Sequence, residues 1–250
     1  MEETNEPKKK FLTFGVYIPS YNRSARGVVT GKLFENPHYV VRQSQKELYE
    51  KEGFPNVIGV EDEKVNRYSK VFNWIIENAT EDIILIIDDD VKGMKYRLDS
   101  VEKIEDVETI QAEFERIGQM LWDLDLGLAF GTATAVPWSY TSEFRFSGVP
   151  GAFKLINRKK LKARMEYTFP RNVDIDFVLQ EVLKNRICLN ALYICGDPYI
   201  DKLTNTTGSR YNQDSIKASV EMMKLKWGKY FGYNFNSNVP KIFVKRGVGI

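Results

Sequence analysis

Cysteine and histidine are nearly absent from this 250-residue chain, which has two of the former and one of the latter. Cys188 and Cys195 fall in one stretch that reads as extended, Ile187 to Cys195, and would face opposite sides of a strand. A disulfide between them is not expected, and both read as core thiols of a reducing compartment. The lone imidazole, His38, follows Pro37 at the start of a strand, where a structural role is expected. Long apolar runs are missing too: none approaches the roughly 20 residues that cross a bilayer. Met1 to Lys10 is polar and charged, unlike a signal peptide. These features predict a cytoplasmic protein with no membrane partner. There is no G-x-x-x-x-G-K phosphate loop and no G-x-G-x-x-G turn, which argues against kinase and dehydrogenase chemistry. No repeat, low-complexity tract or linker divides the chain.

What is present suits a folded α/β domain with a real core, at 43% apolar and 28% charged residues. The densest signal is Ile83-Ile84-Leu85-Ile86-Ile87-Asp88-Asp89-Asp90. A short apolar run bounded by polar residues reads as a strand buried on both faces of a parallel sheet. Its abrupt end in carboxylates has two readings. One is an acidic turn or helix cap. The other is a pair of oxygen ligands for a hard divalent cation, because along an extended chain Asp88 and Asp90 share a side and Asp89 points away. Ligands of open α/β sheets gather at the carboxyl ends of the strands, where this triplet lies. Charge is segregated along the chain. Acids dominate Glu81 to Asp125, bases dominate Lys202 to Ile250, and Lys154, Arg158, Lys159, Lys160, Lys162 and Arg164 form a cluster free of acids. That pattern is compatible with a metal-nucleotide in one half and a polyanion in the other, or with an ordinary solvated surface.

Periodicity predicts alternating strands and helices in the first half. Phe14 to Pro19, Tyr39 to Arg42, Asn56 to Val60 and the Ile83 run read as strands. Ser44 and Glu47 form a capping-box pattern that opens a helix for Gly53 to close. The next helix carries Tyr68, Val71, Phe72, Ile75 and Ala79 at spacings of three and four. Short connections imply right-handed crossovers and a parallel sheet. Beyond the triplet a long amphipathic helix is expected, with Val101, Ile104, Val107, Ile110, Phe114, Ile117, Leu121 and Leu124 on one face. Leu126 to Ala133 reads as a strand, and Val136 to Phe153 as a long loop holding Trp138, Tyr140, Gly148, Pro150 and Gly151. Later helices are expected from Asn172 to Asn185 and from Asp214 to about Phe231, and a terminal strand from Lys241 to Lys245.

Three of these elements carry a resemblance. Val16-Tyr17-Ile18-Pro19-Ser20-Tyr21-Asn22-Arg23 resembles the opening strand of family 2 type glycosyltransferases of the GT-A fold, and Asp88-Asp89-Asp90 matches the place of that fold's metal-binding DxD. Asn172-Val173-Asp174-Ile175-Asp176-Phe177 is similar to the EDxD helix start that supplies the catalytic base in inverting members, with Val173 departing from the usual acid. The resemblance implies a single GT-A domain over 1–250, a Rossmann-like, mostly parallel α/β sheet flanked by helices. Residues 1–125 would bind the nucleotide sugar and 126–250, with a C-terminal helix and strand extension, the acceptor. It implies Mn²⁺ or Mg²⁺ on Asp88 and Asp90 and a nucleotide-sugar donor, expected to be UDP-linked. Asp174 is the expected general base and Asp176 the second candidate; about 200° separates them on a helix, so both cannot face one site. Donor contacts are expected from Pro19, Tyr21, Asn22, Arg23, Arg67, Asn73, Asp88 and Asp89. Acceptor contacts are expected from Trp138, Gly148, Gly151, Lys159, Lys160 and Arg210. Many members complete the metal shell with a C-terminal histidine, which this chain lacks. Asp197 or Asp201 would replace it, or water and diphosphate fill the place.

The helix segment Asn73-Trp74-Ile75 before the triplet, the loop Gly148 to Asn157 and the helix-plus-strand C-terminus are similar to the small phage-type glycosyltransferases of modified DNA bases. That likeness implies double-stranded DNA with hydroxymethylated pyrimidines as acceptor, and the host cytoplasm as location. Other functions stay open: a nucleotidyltransferase making a nucleotide sugar, with Ser24 to Lys32 as its phosphate loop; a glycosyltransferase of glycans or lipids; and a non-catalytic nucleic-acid-binding module.

Overall fold

The structure, a computed structural model, describes residues 12–26, 28–132, 136–169, 171–198 and 213–244. In chain order its first elements are β1 (Phe14–Pro19), β2 (His38–Arg42), α1 (Lys46–Lys51), β3 (Val57–Val60), α2 (Tyr68–Asn78), β4 (Ile83–Ile87), β5 (Val91–Arg97), β6 (Val101–Ile104) and α3 (Val107–Asp123). Then come β7 (Leu128–Thr132), β8 (Phe144–Arg145), β9 (Pro150–Asn157), α4 (Val173–Asn185), β10 (Leu189–Ala191), β11 (Ile194–Pro198), α5 (Gln213–Trp227), β12 (Phe231–Asn234) and β13 (Val239–Ile242).

All five side chains of β4 are buried, and they alternate: Ile83, Leu85 and Ile87 join one apolar cluster, Ile84 and Ile86 another. Full burial stabilises by about 1.5–3 kcal/mol per side chain of this size, so the strand must be covered on both sides. Helix α3 covers one face with Ile110, Phe114, Ile117 and Leu121. The other face is covered by α2, through Phe72, Ile75 and Ile76, and by α4, through Phe177, Val178 and Val182. The resulting sheet has the order β3-β2-β1-β4-β9-β7-β10-β8. Strands β1 to β4, β7 and β10 run one way; β9 and the edge strand β8 run the other. Because β9 and β7 extend the sheet directly from β4, strands from before and after Asp125 share one sheet. A three-stranded antiparallel sheet, β11-β5-β6, and the hairpin β12-β13 complete the fold. No helix among the described residues is long and apolar enough to cross a membrane.

Strand β1 has the bounds expected from sequence, while three other expectations need correction. Ser44 does not cap α1: its N–H and hydroxyl bind the Asp62 carboxylate (3.1 and 2.6 Å), and Gln43–Gln45 form a 3-10 turn instead. The helix expected from Val101 begins only at Val107, where Asp106 caps it by accepting from Thr109 N–H at 2.7 Å. Val101 and Ile104 mimic helical spacing but belong to the β5–β6 hairpin. The supposed loop ending at Phe153 contains the whole first half of β9, whose Gly and Pro residues mark close approach rather than a turn. A Cβ on Gly151 would lie 2.4 Å from the Thr132 carbonyl oxygen. Cys188 and Cys195 are buried and form no disulfide; Cys188 precedes β10, and Cys195 lies in β11 of the three-stranded sheet. His38 stacks on Tyr17 with ring centroids 5.0 Å apart.

Candidate active site

Strands β1 to β4 are parallel, so their carboxyl ends form one rim, and the chain leaves β4 there through Asp88, Asp89 and Asp90. The alternation of the strand stops at this point. Asp88 still donates its N–H to the Ala152 carbonyl of β9 (3.0 Å), but Asp89 and Asp90 form a turn. Buried Thr30 clamps that turn, its hydroxyl donating to the Asp88 carbonyl (2.7 Å) and accepting from Val91 N–H (2.8 Å). The carboxylates therefore sort differently from those of an extended chain, which would pair Asp88 with Asp90. Asp89 and Asp90 share the Arg23 guanidinium, at 3.0 and 3.7 Å. Asp89 also accepts from the Ser20 hydroxyl (2.7 Å), and Asp88 accepts from the hydroxyl of Tyr68 (3.1 Å), in the first turn of α2.

Asp174, in the first turn of α4, belongs to the same group. Its Oδ1 is buried 3.3 Å from the Nζ of Lys154, a β9 residue only 2% exposed, while its side chain as a whole is 41% exposed. Burial pushes Asp88 up to about 7, with Lys154 opposing and Asp174, Asp90 and Asp89 adding repulsion. Burial pushes Asp89 up to about 6 against the pull of Arg23 and the Ser20 hydrogen bond. Tyr68 is raised well above the ordinary phenol range by burial and by the charges of Asp88 and Asp174. Four carboxylates thus face two basic side chains. The turn removes the strand alternation that would have paired them, yet Asp88 and Asp90 both remain at the rim and offer hard oxygen donors of the kind suited to Mg²⁺ or Mn²⁺. Among the described residues no cluster of three or more Asp, Glu, His or Cys forms a metal-sized group. Such a donor set fits an ion that fills its shell with phosphate oxygens and water. Asp197 pairs with Lys92 and Lys95 (3.6 and 3.0 Å) instead, and Asp201 lies outside the described residues.

The other expected residues divide between the rim and elsewhere. Pro19 ends β1 beside Val40, Tyr21 is exposed beneath the Arg42 guanidinium (4.1 Å), and Asn22 takes a left-handed conformation (φ 56°) and binds Gln45. Arg67 donates to the Tyr167 carbonyl (2.8 Å), and Asn73 bonds both the carbonyl and the N–H of Met165 (2.9 and 2.8 Å). These two side chains fasten the 161–169 segment to α2. Asp176 is fully buried on the far side of α4, bonded to Lys226 (2.7 Å), Trp227 Nε1 (2.8 Å) and Gln180 (2.6 Å). Gly151 adjoins Ala152 and so sits at the rim; Gly148 packs on Asn190, and Trp138 is 86% exposed in a 3-10 turn. Arg210 lies outside the described residues.

Lys159 and Lys160 are at the wrong end of the sheet for contact with the triplet. They follow β9 where it meets the start of β4, about 20 Å from Asp88 along the strand. There Lys159 pairs with Asp82 (2.8 Å), Lys160 with Asp125 (2.7 Å), and Arg158 donates to the Ile76 and Glu81 carbonyls. The basic cluster of the sequence is therefore no single surface. Within Ser24 to Lys32, where a phosphate loop was the alternative, Gly27 lies outside the described residues and the described part forms 3-10 turns at Ser24–Arg26 and Thr30–Leu33. A Cβ on Gly31 would lie 1.7 Å from the Tyr39 hydroxyl, so this glycine serves packing. Ser20, Thr30, Tyr68 and Lys154 escaped the sequence reading of the site. Only Lys154 left a clear trace, a single base inside the apolar run Ala152-Phe153-Lys154-Leu155-Ile156.

No protein-family model matches this sequence, and no curated protein matches it. Solved structures do resemble it. Glucosyl-3-phosphoglycerate synthase from Mycobacterium tuberculosis, in complex with Mn²⁺, UDP and glucosyl-3-phosphoglycerate, aligns with TM-score 0.54 at 10% identity, over 93% of this chain and 87% of that one. The same enzyme with Mn²⁺, UDP-glucose and glycerol 3-phosphate gives 0.53 at the same identity and coverage. Residues 1–349 of S. aureus TarS align with TM-score 0.47 at 10% identity, over 87% of this chain and 73% of that one. At such identity the likeness is one of fold, and the chain has the mixed α/β architecture of the GT-A glycosyltransferases.

Proposed function

We propose that this protein is a glycosyltransferase that moves a sugar from a nucleotide-sugar donor to an acceptor hydroxyl. The observation that carries the reading is the charge imbalance at the rim, where Asp88, Asp89, Asp90 and Asp174 gather around Arg23 and Lys154. Mg²⁺ or Mn²⁺ bound by Asp88 and Asp90 would stabilise the negative charge of a departing diphosphate. The synthase structures with Mn²⁺ or Mg²⁺ and UDP support that choice of ion and a UDP-linked donor. Arg23 would add a guanidinium to the diphosphate, and the exposed ring of Tyr21 would stack on the base, with Pro19 and Asn22 shaping the rim between them. Asp174 takes the proton of the acceptor hydroxyl as general base, which makes the transfer inverting. Asp176, held by α5, steadies the helix that carries it.

For the acceptor we propose duplex DNA with hydroxymethylated pyrimidines, supported by the exposed lysines Lys217, Lys224, Lys229 and Lys241 in the C-terminal part. The test is incubation with a panel of nucleotide sugars and either modified DNA or glycan acceptors, with Mg²⁺ or Mn²⁺. Sugar-dependent release of a nucleoside diphosphate is expected. Pyrophosphate release from a nucleoside triphosphate would instead identify a nucleotidyltransferase. Salt-sensitive DNA binding without turnover, indifferent to Asp88→Ala and Asp90→Ala, would identify a binding module.

A further inference from the structure

Lys154 stands where the sheet has no structural use for a charge. Its Cα pairs with Ile86 on one side and Phe130 on the other, and its ammonium lies 5.9 Å from the Phe72 ring. An apolar side chain of the same length would fill this place at no desolvation cost. The ammonium has two neighbours of opposite polarity: Asp174 Oδ1 at 3.3 Å, and the Gly151 carbonyl at the long distance of 3.5 Å. Asp174 Oδ1, in turn, is buried and accepts no hydrogen bond, so the ion pair with Lys154 is what compensates it. The exposure of the Asp174 side chain therefore lies away from Oδ1. One carboxylate oxygen is thus anchored in the floor of the site and the other is left to act.

We propose that Lys154 is a positioning residue: it anchors Asp174 through Oδ1 so that the second oxygen is presented to the acceptor hydroxyl. The same strand meets the acidic turn through its backbone, where the Ala152 carbonyl of β9 accepts from Asp88 N–H at 3.0 Å. Strand β9 thus anchors the proton acceptor on α4 beside the acidic turn after β4, two elements distant in sequence. The kinetic part of this proposal rests on the glycosyltransfer reading; the anchoring part does not.

The anchoring is tested without turnover by a double-mutant cycle on thermal stability, using Lys154→Met, Asp174→Asn and the pair. Coupled side chains give a double variant whose loss is clearly smaller than the sum of the single losses, and additive losses would overturn the anchor. The kinetic consequence is tested on Lys154→Met with a turning-over nucleotide sugar. Misplacement of the base predicts a kcat lower by about 100-fold, with the donor KM changed by less than about threefold. A merely structural role would lower the melting temperature and the amount of active enzyme while leaving kcat per folded molecule intact. Wild-type kcat in Lys154→Met would overturn the positioning role and leave the glycosyltransfer reading standing. A wild-type protein that turns over no nucleotide sugar would overturn both, leaving the stability cycle to decide the anchor alone.

Discussion

The two rims of the central sheet use the same residue types to opposite ends. Where β4 begins, Lys159 meets Asp82, Lys160 meets Asp125, and Arg158 ties down backbone carbonyls of Ile76 and Glu81. Each of these cations has a carboxylate or carbonyl partner, and the result is a closed edge. Where β4 ends, Asp88, Asp89, Asp90 and Asp174 gather around Arg23 and Lys154, and burial with mutual repulsion raises Asp88 to about 7. Runs of charge in the sequence look alike at both places. The difference lies in imbalance, because a surplus of half-buried carboxylates costs stability unless something else binds there.

Breaking the acidic rim has the largest expected effect. Asp174→Asn lowers kcat by about 10²–10⁴-fold, the usual worth of a general base, while donor binding measured by calorimetry persists. Full transfer activity in this variant would remove Asp174 as the base. A gentler probe is pH. Asp88 and Asp89 lie above the ordinary carboxylate range when folded, so the native state retains protons that the unfolded chain has released. Their stabilisation is complete below the unfolded carboxylate pKa and is lost as pH rises through about 6 to 7. Asp62 and Asp106, held low by the hydroxyls of Ser44 and Thr109, act only in more acidic solution. The metal-free protein should therefore melt higher near pH 5 than near pH 8, as about 5 and 8 bracket both groups. A melting temperature that climbs across this interval would contradict the raised values.

Asp88→Asn sharpens the same point by removing one repelling charge. At alkaline pH it should raise the melting temperature of the metal-free protein by about 2–4 °C, the shift expected for about 1 kcal/mol in a chain of this size, while abolishing transfer. The smallest effect belongs to the balanced rim. Lys159→Ala breaks an ion pair whose lysine is 56% exposed, so the loss is at most about 1 kcal/mol, and turnover should be unchanged. A large drop in activity there would mean that the two rims are not functionally distinct.

Local sequence made part of this legible. Phe14–Pro19 and Ile83–Ile87 are short apolar runs whose burial on both faces fixes them as central strands, and the apolar stripe on α2 needed no tertiary information. The acidic triplet and Asp174 were legible as a resemblance. Their grouping was not, because it depends on β9 entering the sheet beside β4, and Gly148 to Gly151 disguised that strand as a loop. Asp174 and Asp176 are chemically identical in sequence, and only α5, arriving through Lys226 and Trp227, separates an exposed carboxylate from a buried structural one. Lys154 and Lys159 likewise share one basic cluster, yet β9 carries them to opposite ends of the sheet.

On the proposed function, the unbalanced rim receives a divalent cation together with a nucleoside diphosphate. Calorimetric titration of UDP into the metal-stripped protein, with and without Mn²⁺, tests it most directly. Binding is expected to require Mn²⁺ and to be lost in Asp88→Ala and Asp90→Ala, whereas Lys159→Ala binds like the wild type. UDP binding that is equally tight without the ion and in both aspartate variants would contradict it.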